Sequence, residues 1–281
     1  MRRRDRRGVA LIFVLWLLVL LGAIAVDVAS RTRVEAEIVA SLRARTVARY
    51  AAEGGVLAAQ VQIEALLDSA PGLAQRAPLF RELGARLAHL RDVSVGQGRF
   101  SVTAVDLNAR LDVNHADAAS LEGLFRQFTT DKQAEEAVAV LKEAPVARLG
   151  ELAHLSGLDD SLALAVAPYL TVSSDGVVNI NSAPERVLAA LPGVSSAVAR
   201  AVVRRREAGE VFLTTDPIRP QAFTPIGPFD APVLPLAVVP TRLLIISRGW
   251  QDGHPLTHEI QAVYAVLGTR LLLQAWHERD L

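Results

Sequence analysis

Residues 1–26 read MRRRDRRG-VALIFVLWLLVLLGAIAV, and how this stretch is read decides the fold. The first eight residues hold five arginines, one aspartate and one glycine. The next eighteen, Val9 to Val26, carry no charge. As a helix they span about 27 Å, close to the roughly 30 Å of a bilayer's hydrocarbon core. The arginines predict a cytoplasmic amino terminus, with the rest of the chain crossing. Trp16 sits mid-stretch and marks no interface. Three readings stand side by side. A secretory signal peptide would use Ala23–Ala25 as a small-x-small cleavage site, although its apolar region is usually only about 7–15 residues long. An uncleaved signal anchor is the second. In the third, a short basic leader ends at Gly8 and the apolar helix follows at once.

Working outward, the helix continues past the membrane. Val34, Ile38 and Leu42 recur every four residues, followed by Val47, Ala51, Val56, Val61 and Leu66, with arginines spread among them. No proline occurs from Val9 to Ala70. Glu53-Gly54-Gly55 is the expected weak point, because glycine is costly inside a helix. The expectation is one long rod, half in lipid and half amphipathic.

Beyond the rod, 281 residues that are 51% apolar suffice for one large or two modest domains and exclude wholesale disorder. Lysine plus arginine equal aspartate plus glutamate at 30 each, which argues against a dedicated nucleic-acid binder. With no cysteine there is no disulfide, thiolate metal site or cysteine nucleophile. Pro71 to Pro78 is expected to break the helix, leaving room for a short one over 79–90. Val93–Val105 alternates around Gly96-Gln97-Gly98 and predicts a β-hairpin. Residues 111–215 predict helices over 117–128, 131–142, 145–155, 159–170, 184–191 and 195–208. Seven of the fourteen prolines fall in 217–240, which forbids regular structure there. Strands are predicted over 243–246, 259–266 and 270–276, the last two turning at Gly268. The two strand groups need one another to form a sheet. The fold class is therefore α+β: a long amino-terminal transmembrane and amphipathic helix packed on an antiparallel sheet, with a large all-helical insertion. The expected divisions are 1–8 leader, 9–30 membrane helix, 31–110 amphipathic helix and first strands, 111–216 insertion, and 217–281 Pro-rich loop and closing strands.

The insertion repeats itself. Residues 111–124, LDVNHADAASLEGL, align without gaps to 178–191, VNINSAPERVLAAL, so that Asn114 matches Asn181 and Leu121 matches Leu188. The asparagines are expected to cap a turn and the leucines to bury one helix face, giving two related helical hairpins. The second copy runs on through Pro192-Gly193-Val194-Ser195 and resembles a helix-hairpin-helix unit, in which backbone amides after the turn hold a nucleic-acid phosphate. Ser195 replaces the expected second glycine. Val194–Glu210 carries Arg200, Arg204, Arg205 and Arg206 against Glu207 and Glu210, a weak electrostatic grip. The structural reading outweighs nucleic-acid contact.

No catalytic motif stands out. His254 and His258 are four apart, but Pro255 spoils a helical metal pair. Asp159-Asp160 sits where a helix N-terminus favours negative charge. Calcium is a possible ligand, with loop candidates Asp106, Asp112, Asp175, Asp230 and Asp252.

The leader ending in Gly8, the apolar helix VALIFVLWLL and the asparagine repeats together resemble the K-type minor pseudopilins of bacterial type II secretion, the general secretion pathway protein K family. The resemblance is strongest over 6–26 and 178–206. It implies cleavage by a prepilin peptidase between Gly8 and Val9, then N-methylation of Val9. Losing five arginines and one aspartate would leave a formal charge of −4. It implies a non-enzymatic protein with a cytoplasmic amino terminus, a single pass through the inner membrane of a Gram-negative cell and a periplasmic globular part. Its partners would be the I- and J-type minor pseudopilins, the major pseudopilin and the inner-membrane secretion platform, and calcium would bind in the globular part. The wider pilin class has glutamate at the fifth mature position. Here it is Phe13, as is usual for the K-type. An apolar residue avoids an uncompensated buried charge in a subunit with no predecessor to pair with. The implied role is to cap the pseudopilus tip and help initiate its assembly. The alternative is a membrane-anchored helix-hairpin-helix DNA-binding protein.

Overall fold

The computed structural model describes residues 5–155, 158–218 and 235–281, with side chains described from Leu11 onward. Helix α1 (Asp5–Asp68) is the rod, 64 residues without interruption. Its first part is one helix long and apolar enough to cross a membrane, and none of that apolar window is buried. The inward stripe is Ala44, Ala48, Ala52, Val56, Ala59, Ile63 and Leu67, at steps of three and four. This corrects part of the register read from the sequence: Val34, Ile38, Leu42 and Val61 are all more than half exposed, although Ala51 and Val56 are buried. The first three lie on the stem before contact with the sheet begins, and Val61 faces away from it.

The Gly54-Gly55 pair does not interrupt the helix. A Cβ on Gly55 would stand 2.3 Å from Ser247 Oγ and 2.8 Å from the Phe100 ring. Across the interface, a Cβ on Gly249 would stand 2.1 Å from the Ala48 carbonyl oxygen. Glycine is therefore required on both surfaces for helix and sheet to lie this close.

The chain turns at Pro71-Gly72 and enters α2 (Leu73–Arg81) and α3 (Leu83–Arg86). The break expected across Pro71 to Pro78 is thus shorter, because α2 runs through Pro78. The Gln75 side chain accepts from the Gly72 amide at 2.9 Å, and burial of Ala77 and Leu79 offsets the lost backbone bond.

Strands β1 (Val93–Val95) and β2 (Gly98–Asp106) form the predicted hairpin, with Gly96 at φ 57°. After them come β3 (Leu111–Asp112), α4 (Ala118–Phe125), α5 (Asp131–Glu143), a 3₁₀ stretch Leu149–His154, α6 (Asp160–Val166) and β4 (Leu170–Thr171). Then follow β5 (Val178–Asn179), α7 (Glu185–Ala190), α8 (Ser196–Glu207) and β6 (Leu236–Ala237). The chain closes with β7 (Arg242–Gln251), β8 (Thr257–Leu267) and β9 (Arg270–Asp280).

The main sheet is antiparallel, in the order β1-β2-β7-β8-β9. Phe100, Val102, Leu243, Ile245, Ile260, Ala262 and Tyr264 face α1 and form one core with it. The insertion has its own core, built on Leu111, Leu121, Phe125, Leu141, Leu170, Ile180 and Leu188. The α+β class with a helical insertion holds, but the insertion is not all-helical, since β3 pairs with β4 and β5 with β6, each in parallel. Two further details differ. The helix expected over 145–155 is only the 3₁₀ stretch, because the backbone of Val146 is tied to a side chain described below. The prolines do not end the insertion at 216: Ile218, Leu236 and Val238 pack into its core, and β6 pairs in parallel with β5.

Relative to the stem, the insertion sits at the far end of the sheet. Ala48 and Ala51 lie over Gly249 and Gly98, whereas Glu64, a dozen residues on, reaches the Leu271 amide at 2.9 Å. The insertion leaves the sheet after Asp106, opposite Leu243, at that second end.

Candidate functional site

The two repeat copies fold alike. Asn114 clamps Val146: its Nδ2 donates to the Val146 carbonyl at 3.0 Å and its Oδ1 accepts from the Val146 amide at 2.9 Å. Asn181 does the same to Phe212, at 2.7 and 2.9 Å, and also donates to the Val238 carbonyl at 2.7 Å. The expected turn-capping by these asparagines is thus corrected. The turns are held by the residue two places earlier, Asp112 accepting from the Asn114 amide at 2.9 Å and Asn179 from the Asn181 amide at 3.0 Å. The Asn114 and Asn181 side chains instead pin the chain after each hairpin's second helix.

Sequence reading missed a second correspondence. The Lys142 ammonium donates to the carbonyls of Val113 and Ala116 at 3.2 and 2.7 Å. Arg206 donates to those of Ile180 and Ala183 at 2.9 and 2.7 Å. These acceptors are equivalent positions in the two copies, so each hairpin carries one cation on the same pair of orphan carbonyls. The signal was a basic residue late in each second helix, visible only with the turn partner in hand. Burial holds the Arg206 guanidinium below its ordinary value. The copies meet through α4 and α7, where a Cβ on Gly123 would stand 2.4 Å from the Ala190 carbonyl. Arg186 stacks over Phe128 at 4.6 Å from the ring centroid, and Phe128 lies against Tyr169.

The turn Pro192–Ser195 opens with Gly193 at φ 76°, and Ser195 caps α8 by accepting from the Val198 amide. Gly193 and Ser195 are exposed. The arginines behind the turn are mostly committed within the chain. Arg200 pairs with Glu185, Arg205 with Glu210 while lying over Phe212, and Arg206 is internal. Arg204 has no partner among the described residues. A phosphate would therefore meet a nearly neutral surface.

Three of the calcium candidates converge on the junction between insertion and sheet, where they serve hydrogen bonds. Asp106 accepts from Asn179 Nδ2 at 2.7 Å and Ser182 Oγ at 2.5 Å, and burial pushes its carboxyl up. Asp112 is 1% exposed and accepts from the amides of Asn114, His115 and Ser174. Asp175 accepts from Asn108 Nδ2 and Thr241 Oγ1. Burial alone would raise its carboxyl, yet those two bonds leave it below the ordinary value. Asp252 is 70% exposed and pairs with Arg99, and Asp230 lies outside the described residues. Among the described residues, no group of three His, Asp or Glu side chains converges to hold a metal ion. The oxygens of these aspartates face N–H and O–H donors, so as arranged they do not fit a calcium cradle.

Asn108, unexposed, lies at the centre of this junction and was not foreseen. Its Nδ2 reaches Asp175 and the Val177 carbonyl, and its Oδ1 accepts from the amides of Thr241 and Arg242 at 2.9 and 2.8 Å. It stitches the insertion's entry to its exit. A further strap joins the two parts, as Arg81 of α2 donates to carbonyls at the end of α8.

The sheet's opposite end meets the stem through ion pairs. Arg45 lies 2.8 Å from Asp280, and Arg49 lies between Glu53 and Glu278. His258 contacts Asp280 and Glu278 and is no part of a pair with His254, which sits in the β7–β8 turn. Asp159 caps α6 as expected. On the outer sheet face, Glu259 is 1% exposed and held between Arg248 and Arg279 of the neighbouring strands. Among the described residues, these polar clusters hold backbone groups or neighbouring strands in place.

At the stem, Gly8 and Val9 lie within the first turns of α1, and Phe13 is 75% exposed.

No protein-family model matches this chain, and no curated protein matches it significantly. Its fold is similar to that of a chain in the crystal structure of the GspK-GspI-GspJ complex from the enterotoxigenic Escherichia coli type 2 secretion system. The TM-score is 0.59 at 14% sequence identity, over 89% of this chain and 99% of that one.

Proposed function

We propose that this chain is a minor pseudopilin that caps the tip of a type II secretion pseudopilus and helps initiate its assembly. The observation that carries the reading is the place of the helical insertion, at the end of the sheet away from the stem. A subunit stacked above would collide with it, whereas subunits below meet only the exposed apolar stem. The likeness to a chain from the GspK-GspI-GspJ complex supports the reading, and so does the long, unburied amino-terminal helix. I- and J-type minor pseudopilins are the natural partners, with the major pseudopilin and the inner-membrane platform below them. The stem spans the inner membrane with its arginines cytoplasmic.

On this reading Gly8 precedes the prepilin peptidase cut, and Val9 becomes the methylated amino terminus. Phe13 keeps the membrane helix free of the carboxylate that a non-terminal subunit would pair with its neighbour's amine. Export across the outer membrane then follows from nucleated polymer growth, without bond chemistry in this subunit.

Two measurements test it. Mass spectrometry of the mature protein is expected to find methylated Val9 first, and Gly8→Ala is expected to leave the leader attached. Unchanged processing of that variant sinks the leader assignment. Gold labelling of sheared pseudopili is expected at one end, and labelling along the shaft removes the capping role. Phe13→Glu is expected to insert normally but to lower the number of pseudopili per cell.

A further inference from the structure

The outer sheet face and the insertion enclose a second feature. Between β7–β9 and the segment after α5 lies an open cleft of about 720 Å³. Its apolar lining includes Leu107, Val172, Leu244 and the 4% exposed Val263. Its charged lining is one-sided. Arg110, Arg148 and Arg279 line it together with His277, and Glu278 is the one acidic residue among the described lining residues. That carboxylate is engaged on the other face, by the Trp276 indole at 2.7 Å and by Arg49 and His258. Arg279 is shared with buried Glu259. The guanidinium groups of Arg110 and Arg148 have no hydrogen bond or ion pair among the described residues, whereas Asn108, Asp112 and Asp175 at the junction are each bonded more than once. Glu151, on the same segment as Arg148, is turned to the Ala147 amide.

We propose that this cleft binds an acidic polypeptide segment from a partner protein. Two uncommitted guanidinium groups beside an apolar floor suit carboxylates on an extended chain. Arginine grips carboxylates in a planar fork, and it anchors interfaces when its surroundings are partly desolvated. The volume exceeds what a single phosphate or sulfate fills, and the apolar floor gives such an ion nothing. The inference goes beyond the tip reading and does not rest on it.

The test uses the full chain in detergent and a fluorescent ten-residue peptide of alternating glutamate and leucine, with the lysine–leucine peptide as control. The glutamate peptide is expected to bind and the lysine peptide not, with affinity falling as salt rises. The double variant Arg110→Gln/Arg148→Gln is expected to bind about tenfold or more weakly. Arg148→Gln alone, at an exposed position that leaves the fold intact, is expected to fall between. Arg204→Gln, on α8 and outside the cleft, is expected to bind as the parent does. Equal binding of both peptides, or binding unchanged in the double variant, overturns the proposal. So does displacement of the glutamate peptide by inorganic phosphate at matched concentration, which would mark a small-anion site instead.

Discussion

The sheet domain and the insertion bury apolar surface in opposite ways. Midway along α1 the closest contacts are made by small residues: Ala48, Ala51 and Ala52 on the helix meet Gly98 and Gly249 on the strands, and Gly55 meets Ser247 and Phe100. Backbone lies almost on backbone, and little side-chain volume is available to adjust. In the insertion, leucines and a phenylalanine fill two copies of one hairpin, and side-chain amides tie the chain ends down. The first region depends on the absence of atoms, the second on the presence of particular polar ones. Substitutions that add should therefore harm the first, and substitutions that delete should harm the second.

The largest effect is expected from Gly249→Ala, whose new methyl would meet the Ala48 carbonyl oxygen and the Ala52 amide nitrogen at 2.1 and 2.4 Å. Overpacking against rigid backbone should cost about 3 kcal/mol, read as a lower denaturation midpoint of the full chain in detergent. A loss below about 0.5 kcal/mol would mean that helix and sheet separate easily, and the contrast would fail.

Next comes the pair Asn181→Ala and Asn114→Ala. Asn181 satisfies three backbone groups and Asn114 two. Leaving them unpaired should cost about 2 and about 1 kcal/mol respectively, with amide exchange rising in the insertion and not in the sheet. Equal losses would show that the Val238 bond carries no weight.

Acid separates the regions more gently. Glu259 sits below its ordinary value of 4.5: burial pushes it up, but bonds from Arg248, Gln261 and Arg279 outweigh that. Its stabilising share is present above the unfolded value and lost as pH falls through the lower folded one. Asp106 is the reverse, raised by burial above 3.8, so its share is present below that value and lost as pH rises through the folded one. Lowering the pH from about 6 to about 3 should thus loosen β7–β9 before the Asp106 junction, as followed by amide exchange. Simultaneous loss would make the two regions one electrostatic unit. Smallest of all, Lys142→Met should cost about 1 kcal/mol, confined to the first hairpin and visible in its amide exchange. No change there would mean that water serves those carbonyls equally well.

Much of this was legible beforehand where the signal is local. The charge-free run after Gly8 gave the rod, Gly96-Gln97-Gly98 the hairpin, and the gapless repeat the paired hairpins. The strands were read too short at β7, because Ser247-Arg248-Gly249 breaks the apolar alternation. Gly249 is there for α1, and Arg248 for Glu259 on the neighbouring strand. The stripe on α1 was misread over its first part, because alanines and a glycine carry it up to Gly55, and Val56, Ile63 and Leu67 join it only beyond. The amide clamps stayed hidden for a further reason: each joins residues about thirty positions apart, and no local pattern marks the acceptor. Asn108 is the extreme case, its partners at Thr241 and Arg242 lying beyond the whole insertion.

That last stitch has an evolutionary and practical consequence. Strands β2 and β7 are hydrogen-bonded neighbours, and the described residues between 107 and 241 hang from them as an outgrowth by one covalent neck, with the Arg81 strap as a second, non-covalent tie. Chain-closure entropy rises only slowly with loop length, so such an outgrowth can be acquired, enlarged or lost without disturbing its host. Excising it and joining Asp106 to its partner Leu243 by a two-residue Asn-Gly turn should yield a stripped-down sheet unit that still folds, a ready chassis on which other heads could be grafted.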